Sequence, residues 1–180
     1  PRAVPYVGRQ PVDNQAADFL TRAAQAQAST HTVTRWADVP GTVDAWLRAN
    51  GLPPRLRISL RPALGALDWE TNRGLMPSFG ADWAVAETAL VEASAGVGEF
   101  GCVLLRPDAA QSGALTLLPD TLLVALDRSN LHTHLDSLWP SIAGLPACQL
   151  VLGPSRTGDI EQTMELGAHG PRRMHILLVG

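Results

Sequence analysis

The sequence predicts an α/β fold, in which a mostly parallel sheet is flanked by helices and interrupted by an antiparallel β excursion. The last third of the chain gives the first indication, because strand-like and helix-like patterns alternate there as in βαβ units. The predicted bounds are 121–127 (strand), 130–139 (helix), 148–152 (strand), about 158–166 (helix) and 174–179 (strand). The middle third gives the second: from Trp83 to about Leu118 it is mostly β-like, with turn-forming segments at 96–101 and 107–113.

Two helices are predicted in the N-terminal third. Asp13 or Asn14 can cap the first. The second begins near Asp38 and ends before the Asn50–Gly51 pair, which has the residue types of a helix C-terminus. A strand at 32–36 separates the two helices. The helical region therefore covers about 13–50.

Residues 55–61 alternate apolar and polar side chains, as a half-buried strand does, and begin the α/β body at about 55–180. A chain of 180 residues is the size of one ordinary domain. We therefore expect the helical region and the body to form a single domain over 1–180.

Composition narrows the classes of function. The net charge is −3, and the pI of about 5.9 gives no basic surface for nucleic acid, so no nucleic-acid partner is predicted. No apolar run reaches the ~18 residues that span a bilayer, so we expect a soluble, cytoplasmic protein without a membrane partner. All fourteen positively charged side chains are arginines, which excludes lysine chemistry such as Schiff bases.

No metal or redox cofactor is predicted. Cys102 and Cys148 are isolated in sequence and have neither zinc-site spacing nor the number of thiolates an iron–sulfur cluster needs. The segment GVGEFG at 96–101 formally matches a dinucleotide-binding pattern. That pattern requires a helix after the glycines, whereas a strand-like CVLLRP follows here. The segment is therefore interpreted as a turn between two strands.

The most informative segment is GPSRTGDIE at 153–161, directly after the predicted strand 148–152. A strand, a tight turn and a helix start in this order predict an anion site, because the first helical amides and the helix dipole favour negative charge. Arg156 can clamp a carboxylate or phosphate. The remaining candidate ligand-binding residues of the segment are Gly153, Ser155, Thr157 and Asp159, the last of which favours the helix start electrostatically.

A histidine follows on a second loop, in GAHGPRR at 167–173. An imidazole titrates near neutral pH, so His169 is a candidate catalytic acid or base. The alternative is a histidine that only hydrogen-bonds its own loop.

These two segments, followed by the hydrophobic strand at 174–179, closely resemble the C-terminal signature of the LUD-domain, lactate utilisation protein C family. Upstream, ADWAVAET at 81–88 resembles the family's strand ending in Ala-Glu-Thr, and LTLLP at 115–119 resembles its Leu-Ser-Leu-Leu-Pro segment. The matches cover roughly residues 80–180. Thr88, which ends the first of these segments, joins the ligand-binding candidates.

The resemblance implies a fold of the sugar-phosphate isomerase and coenzyme A transferase (NagB/RpiA-like) group. It also implies a role in oxidising L-lactate to pyruvate, with a small anionic metabolite as ligand and iron–sulfur proteins as partners. Three positions depart from the family pattern. Ala89 replaces the glycine after Ala-Glu-Thr, Gly113 stands where an arginine is usual, and Leu123 stands where a histidine is usual.

Two other functions stay open from the sequence. Related coenzyme A transferases use a strand-end glutamate as nucleophile, which makes Glu87 a candidate catalytic residue for a transferase- or isomerase-like enzyme. The three departures instead favour a non-catalytic scaffold whose site has decayed. Glu87 is otherwise interpreted as the partner of an arginine such as Arg156.

Overall fold

The computed structural model describes residues 14–72, 74–82, 87–158, 164–166 and 169–180. Its helices are α1 (Gln15–Gln25), α2 (Val39–Ala49), α3 (Pro62–Gly65), α4 (Gly113–Leu117) and α5 (Trp139–Ile142), with 3₁₀ turns at Trp36–Asp38, Arg128–Asn130 and Leu135–Leu138. Its strands are β1 (Ser29–Val33), β2 (Arg55–Ile58), β3 (Met76–Phe79), β4 (Thr88–Ala93), β5 (Ala95–Val97), β6 (Cys102–Leu105), β7 (Thr121–Asp127), β8 (Leu131–His132), β9 (Gln149–Val151), β10 (Arg156–Gly158), β11 (Met164–Leu166) and β12 (Arg173–Val179).

Six strands form a sheet in the order β1-β12-β7-β4-β2-β3. Every neighbouring pair in it is parallel, which confirms the predicted α/β class with a mostly parallel sheet. The pairing of β1 with β12 joins the N-terminal helical region to the last strand of the chain. The sheet therefore includes residues from both ends of the described sequence.

Both faces of this sheet are buried along the inner strands β4, β7 and β12. Along β7, Leu122, Val124 and Leu126 pack into a core that also contains Phe19 of α1. The alternate side chains of β7 pack into a second core, formed with α2 and α3. Burial on both faces explains why these inner strands are nearly continuous apolar runs. A polar side chain within such a run is consequently exceptional.

The predicted antiparallel excursion is confirmed. A second sheet has the order β8-β5-β6-β9, and β5 and β6 form an antiparallel hairpin around the turn at 98–101. Gly101 adopts φ +67°, and a methyl group added there would lie 2.3 Å from the Ala23 nitrogen of α1. Glycine therefore lets the hairpin turn pack directly on α1.

The N-terminal helices are confirmed, and Asn14 caps α1 by accepting the Ala17 N–H at 3.2 Å. The predicted strand at 32–36 lies earlier than expected, as β1, because Trp36–Asp38 already forms the 3₁₀ turn that leads into α2. β3 and the short α3 were not predicted.

The helix predicted at about 158–166 is wrong. β10 and β11 pair antiparallel in this part of the chain, with Arg156 opposite Leu166. The β-branched Thr157 and the glycine after it favour an extended backbone over a helix. The described residues here, 156–158 and 164–166, are extended and therefore supply neither a helix dipole nor free helical amides.

The helix predicted at 130–139 is also wrong. Leu131–His132 pairs with β5, and the Glu99 carboxylate accepts the Leu135 N–H at 2.6 Å. These long-range partners take backbone groups that a local helix would have used.

The β-like region predicted to reach Leu118 ends earlier. Ser112 accepts the Leu115 N–H at 3.2 Å and caps α4, so the end of this region is helical. In the part of the chain that the structure describes, no helix has the length and apolar character to cross a bilayer.

Candidate functional site

An open pocket of about 430 Å³ lies where the β9–β10 connection meets the loop before β12; we call it the Arg156 pocket. It is lined by Ala26, Leu117, Leu150, Val151, Leu152, Gly153, Pro154, Ser155, Arg156, His169, Gly170 and Pro171. Four residues that the sequence singled out are therefore brought together: Gly153, Ser155, Arg156 and His169.

Two loops form one wall of the pocket because backbone contacts hold them together. The Ser155 N–H donates to the Pro171 carbonyl at 2.8 Å. A methyl group added at Gly170 would lie 3.2 Å from Ser155 Cβ, so the loops approach closely. This contact places the neighbours Arg156 and His169 on the same pocket.

The end of α1 shapes the pocket from the other side. Gly153 adopts φ +153°, and a methyl group added there would lie 2.2 Å from the Ala26 carbonyl oxygen. The Arg156 guanidinium donates to that same oxygen at 2.9 Å. Terminal helix carbonyls lack intrahelical partners and carry the negative end of the helix dipole, so a cation is favoured beside Ala26.

Arg156 keeps donors for a ligand. Its side chain is exposed, and among the described residues no carboxylate forms an ion pair with it. A guanidinium has five N–H donors, and the Ala26 carbonyl uses one of them. The remaining donors suit a carboxylate or a phosphate.

The rest of the pocket wall is largely apolar. Leu117 comes from α4, and Leu150 and Leu152 come from β9 and the residue after it. All three leucines are exposed. Val151, which lies between Leu150 and Leu152, instead packs against the core that contains Phe19 of α1. A charged end and an apolar end thus share one pocket.

Among the described residues, the predicted site residues Glu87 and Thr88 do not line this pocket. Glu87 is exposed and directly precedes β4, and its carbonyl accepts the Thr121 N–H at 2.9 Å. Thr88 is buried, and its hydroxyl has no hydrogen-bond partner among the described residues. Thr157 contributes its backbone to β10, and Asp159 lies outside the described residues.

Two of the three departures from the family pattern are core residues. Ala89 is fully buried in the core that contains Phe19 of α1. Leu123 is fully buried in the core formed with α2 and α3. Gly113 begins α4, and a methyl group added there would lie 3.4 Å from the Gln149 side-chain nitrogen. None of the three lines the Arg156 pocket.

A second open pocket, of about 550 Å³, lies on the α2 side of the sheet; we call it the His175 pocket. His175, on the central strand β12, is 2% exposed. Its ring stacks on Trp46 at a centroid distance of 4.6 Å, and its Nδ1 lies 2.8 Å from the Ser29 hydroxyl oxygen. Its Nε2 has no hydrogen-bond partner in the described part of the chain.

Burial, and to a smaller extent the nearby His31, lower the pKa of His175 to about 4, so the imidazole is neutral at pH 7. His175 is not among the candidate residues predicted from the sequence. The available signal was a single polar side chain within the apolar strand 174–179. In a strand buried on both faces, such a residue must find polar surroundings or lie beside a cavity.

Comparisons with known proteins place the chain among relatives. A protein-family model of the LUD domain matches residues 17–179. Uncharacterized protein YkgG of Escherichia coli K12 is 30% identical over 128 residues, which cover 67% of this chain and 54% of YkgG. Lactate utilization protein C 1 of Bacillus mycoides is 34% identical over 89 residues, which cover 45% of this chain and 38% of that protein. The chain thus spans about half, or less, of the length of these curated relatives.

A solved structure shares the architecture. The crystal structure of a DUF162 family protein from Deinococcus radiodurans matches with a TM-score of 0.66 and 19% identity, and the match covers 94% of this chain and 100% of that chain. At this level of identity the likeness concerns the fold.

Proposed function

The chain belongs to the LUD-domain family, and from that premise we propose that it is a lactate utilisation protein C-like component of L-lactate oxidation to pyruvate, which binds a small anionic metabolite in the Arg156 pocket. The observation that carries the proposal is the exposed guanidinium of Arg156, which lies in an open pocket and has no ion-pair partner among the described carboxylates.

The pocket offers three kinds of polar group to an anion. Arg156 supplies charge and a planar set of donors that matches a carboxylate. Ser155 supplies a hydroxyl, and His169 supplies an exposed imidazole whose ring N–H can donate a hydrogen bond. Recognition in this proposal rests on side chains, since the described residues that follow the turn, 156–158, form a strand and not a helix start.

Electron transfer is assigned in this proposal to iron–sulfur partner proteins. The two cysteines of this chain are too few for the four thiolates of a typical cluster. They are also differently placed, since Cys102 is buried and Cys148 is exposed. The chain would hold the anion while its partners accept the electrons.

The test is a calorimetric titration with L-lactate, pyruvate and a sugar phosphate. Wild type is compared with Arg156→Ala, Arg156→Lys and the control Arg55→Ala, which removes an exposed guanidinium outside the pocket. We expect Arg156→Ala to weaken binding by about 10- to 100-fold, because hydrogen bonds to charged groups contribute about 1.5–3 kcal/mol. Arg156→Lys should bind at an intermediate level, and Arg55→Ala should bind like wild type.

The proposal fails if none of the three compounds binds wild type. It also fails if Arg156→Ala and Arg55→Ala bind equally well, because the anion would then be held elsewhere.

A further inference from the structure

The apolar wall of the Arg156 pocket is larger than a three-carbon acid can cover. The pocket volume of about 430 Å³ lies within the range of sites for drug-sized ligands. Lactate or pyruvate bound to Arg156 would occupy only a small part of it. Most of the lining outside Ser155, Arg156 and His169 would stay in contact with water.

The leucines of this wall are unusually exposed for their size. Leu152 is 50% exposed, and Leu117 and Leu150 are exposed to a similar degree. Leu150 and Leu152 alternate with the inward-facing Val151, so both point to the outer side of the β9 region. Exposed leucines that are grouped beside a charged group, rather than scattered, mark a binding surface.

We propose that the anion bound at Arg156 carries an apolar body, such as an aliphatic chain, which covers Leu117, Leu150 and Leu152. The inference rests on the anion site proposed above and names the class of its ligand: a carboxylate that is extended by hydrocarbon. The charge of Arg156 selects the head group. The leucines stabilise the bound chain by removing apolar surface from water.

The experiment is a calorimetric titration with 2-hydroxy acids that share one head group and differ in chain length. The series is lactate, 2-hydroxybutyrate, 2-hydroxyhexanoate and 2-hydroxyoctanoate, each used below its micellar concentration. We expect the dissociation constant to fall by up to about fourfold per added methylene, which corresponds to about 0.8 kcal/mol for each buried CH₂. The uncharged 1,2-octanediol should bind at least about tenfold more weakly than 2-hydroxyoctanoate, since it cannot form the charged hydrogen bonds.

A matched pair of variants tests where the aliphatic chain of the ligand binds. Leu152→Ser removes apolar surface from the pocket, whereas Leu60→Ser removes a leucine of nearly equal exposure, 49%, outside it. We expect Leu152→Ser to reduce the gain in affinity per methylene and Leu60→Ser to leave it unchanged. Lactate itself should bind Leu60→Ser like wild type.

The outcomes separate this inference from the proposed function. If lactate binding depends on Arg156 but longer chains bind no more tightly, the inference is overturned and the anion site stands. If affinity rises with the length of the ligand equally in wild type and Leu152→Ser, the aliphatic chain of the ligand binds elsewhere and the inference is overturned. If the longer acids bind and Arg156→Ala binds them as tightly as wild type, both the inference and the anion site are overturned.

Discussion

The two pockets hold their principal polar side chains in opposite environments. The Arg156 pocket is formed by loops and by an edge strand, and its cation is exposed. The His175 pocket is formed largely by α2, β1 and β12, and its imidazole is buried within the sheet. One pocket offers a permanent charge to solvent, whereas the other holds a neutral polar group against an aromatic ring.

The difference shows how burial determines the charge state of a site. A guanidinium keeps its charge at any accessible pH and is costly to bury, so it belongs where water or a ligand anion is available. An imidazole becomes neutral when it is desolvated, so β12 can bury His175 beside Trp46. We therefore expect changes in the His175 pocket to affect stability, and changes in the Arg156 pocket to affect binding.

The largest expected effect is on the pH dependence of stability. The unfolded chain protonates His175 near pH 6.5 and the folded chain only near pH 4, so the unfolded state binds more protons between these values. Stability is therefore lost as the pH falls through this window, by about 2 kcal/mol between pH 7 and pH 5. His175→Phe, which keeps a ring against Trp46, should remove this dependence in urea unfolding measured at both pH values.

The control for this measurement is His132→Gln, which alters a partly exposed histidine on β8. It should keep the wild-type difference between pH 7 and pH 5. Equal pH dependence in wild type and His175→Phe would show that protonation of His175 does not cause the loss of stability at low pH.

An intermediate effect is expected where the backbone of the Arg156 pocket meets α1. Gly153→Ala places a methyl group against the Ala26 carbonyl in a backbone conformation that favours glycine, and should cost at least about 1 kcal/mol. The matched change Gly65→Ala lies in α3 with open space around the new methyl group, and should be neutral or slightly stabilising. Urea unfolding of both variants measures the difference, and equal stability would mean that the contact with α1 is dispensable.

The smallest expected effect is on the stability of the free protein after Arg156→Ala. The change removes one exposed hydrogen bond to Ala26, so the free energy of unfolding should fall by no more than about 0.5 kcal/mol. Chemical denaturation without ligand gives this value. A loss of several kcal/mol would make Arg156 a structural residue and would break the proposed division between the two pockets.

Much of the fold could be predicted from the sequence because its signals are local. The strand at 121–127 was predicted with the bounds of β7, since a long apolar run is typical of a strand buried on both faces. Three of the predictions that failed, at 115–118, 130–139 and 158–166, lie in short segments of weaker propensity. There, pairing with distant strands, a side-chain cap or a local hairpin decided the outcome.

In the candidate site, too, some features could be predicted from local sequence and others depend on contacts between distant residues. The sequence by itself determined that Gly153, Ser155 and His169 lie on turns, because glycine, proline and serine impose turns through local sterics. Only the tertiary structure decided that the two turns meet, that Ala26 orients Arg156 and that Leu117 completes an apolar wall. The burial of His175 against Trp46 was decided in the same way. Such contacts join residues far apart in the chain, and their energy exists only once the sheet has brought those residues together.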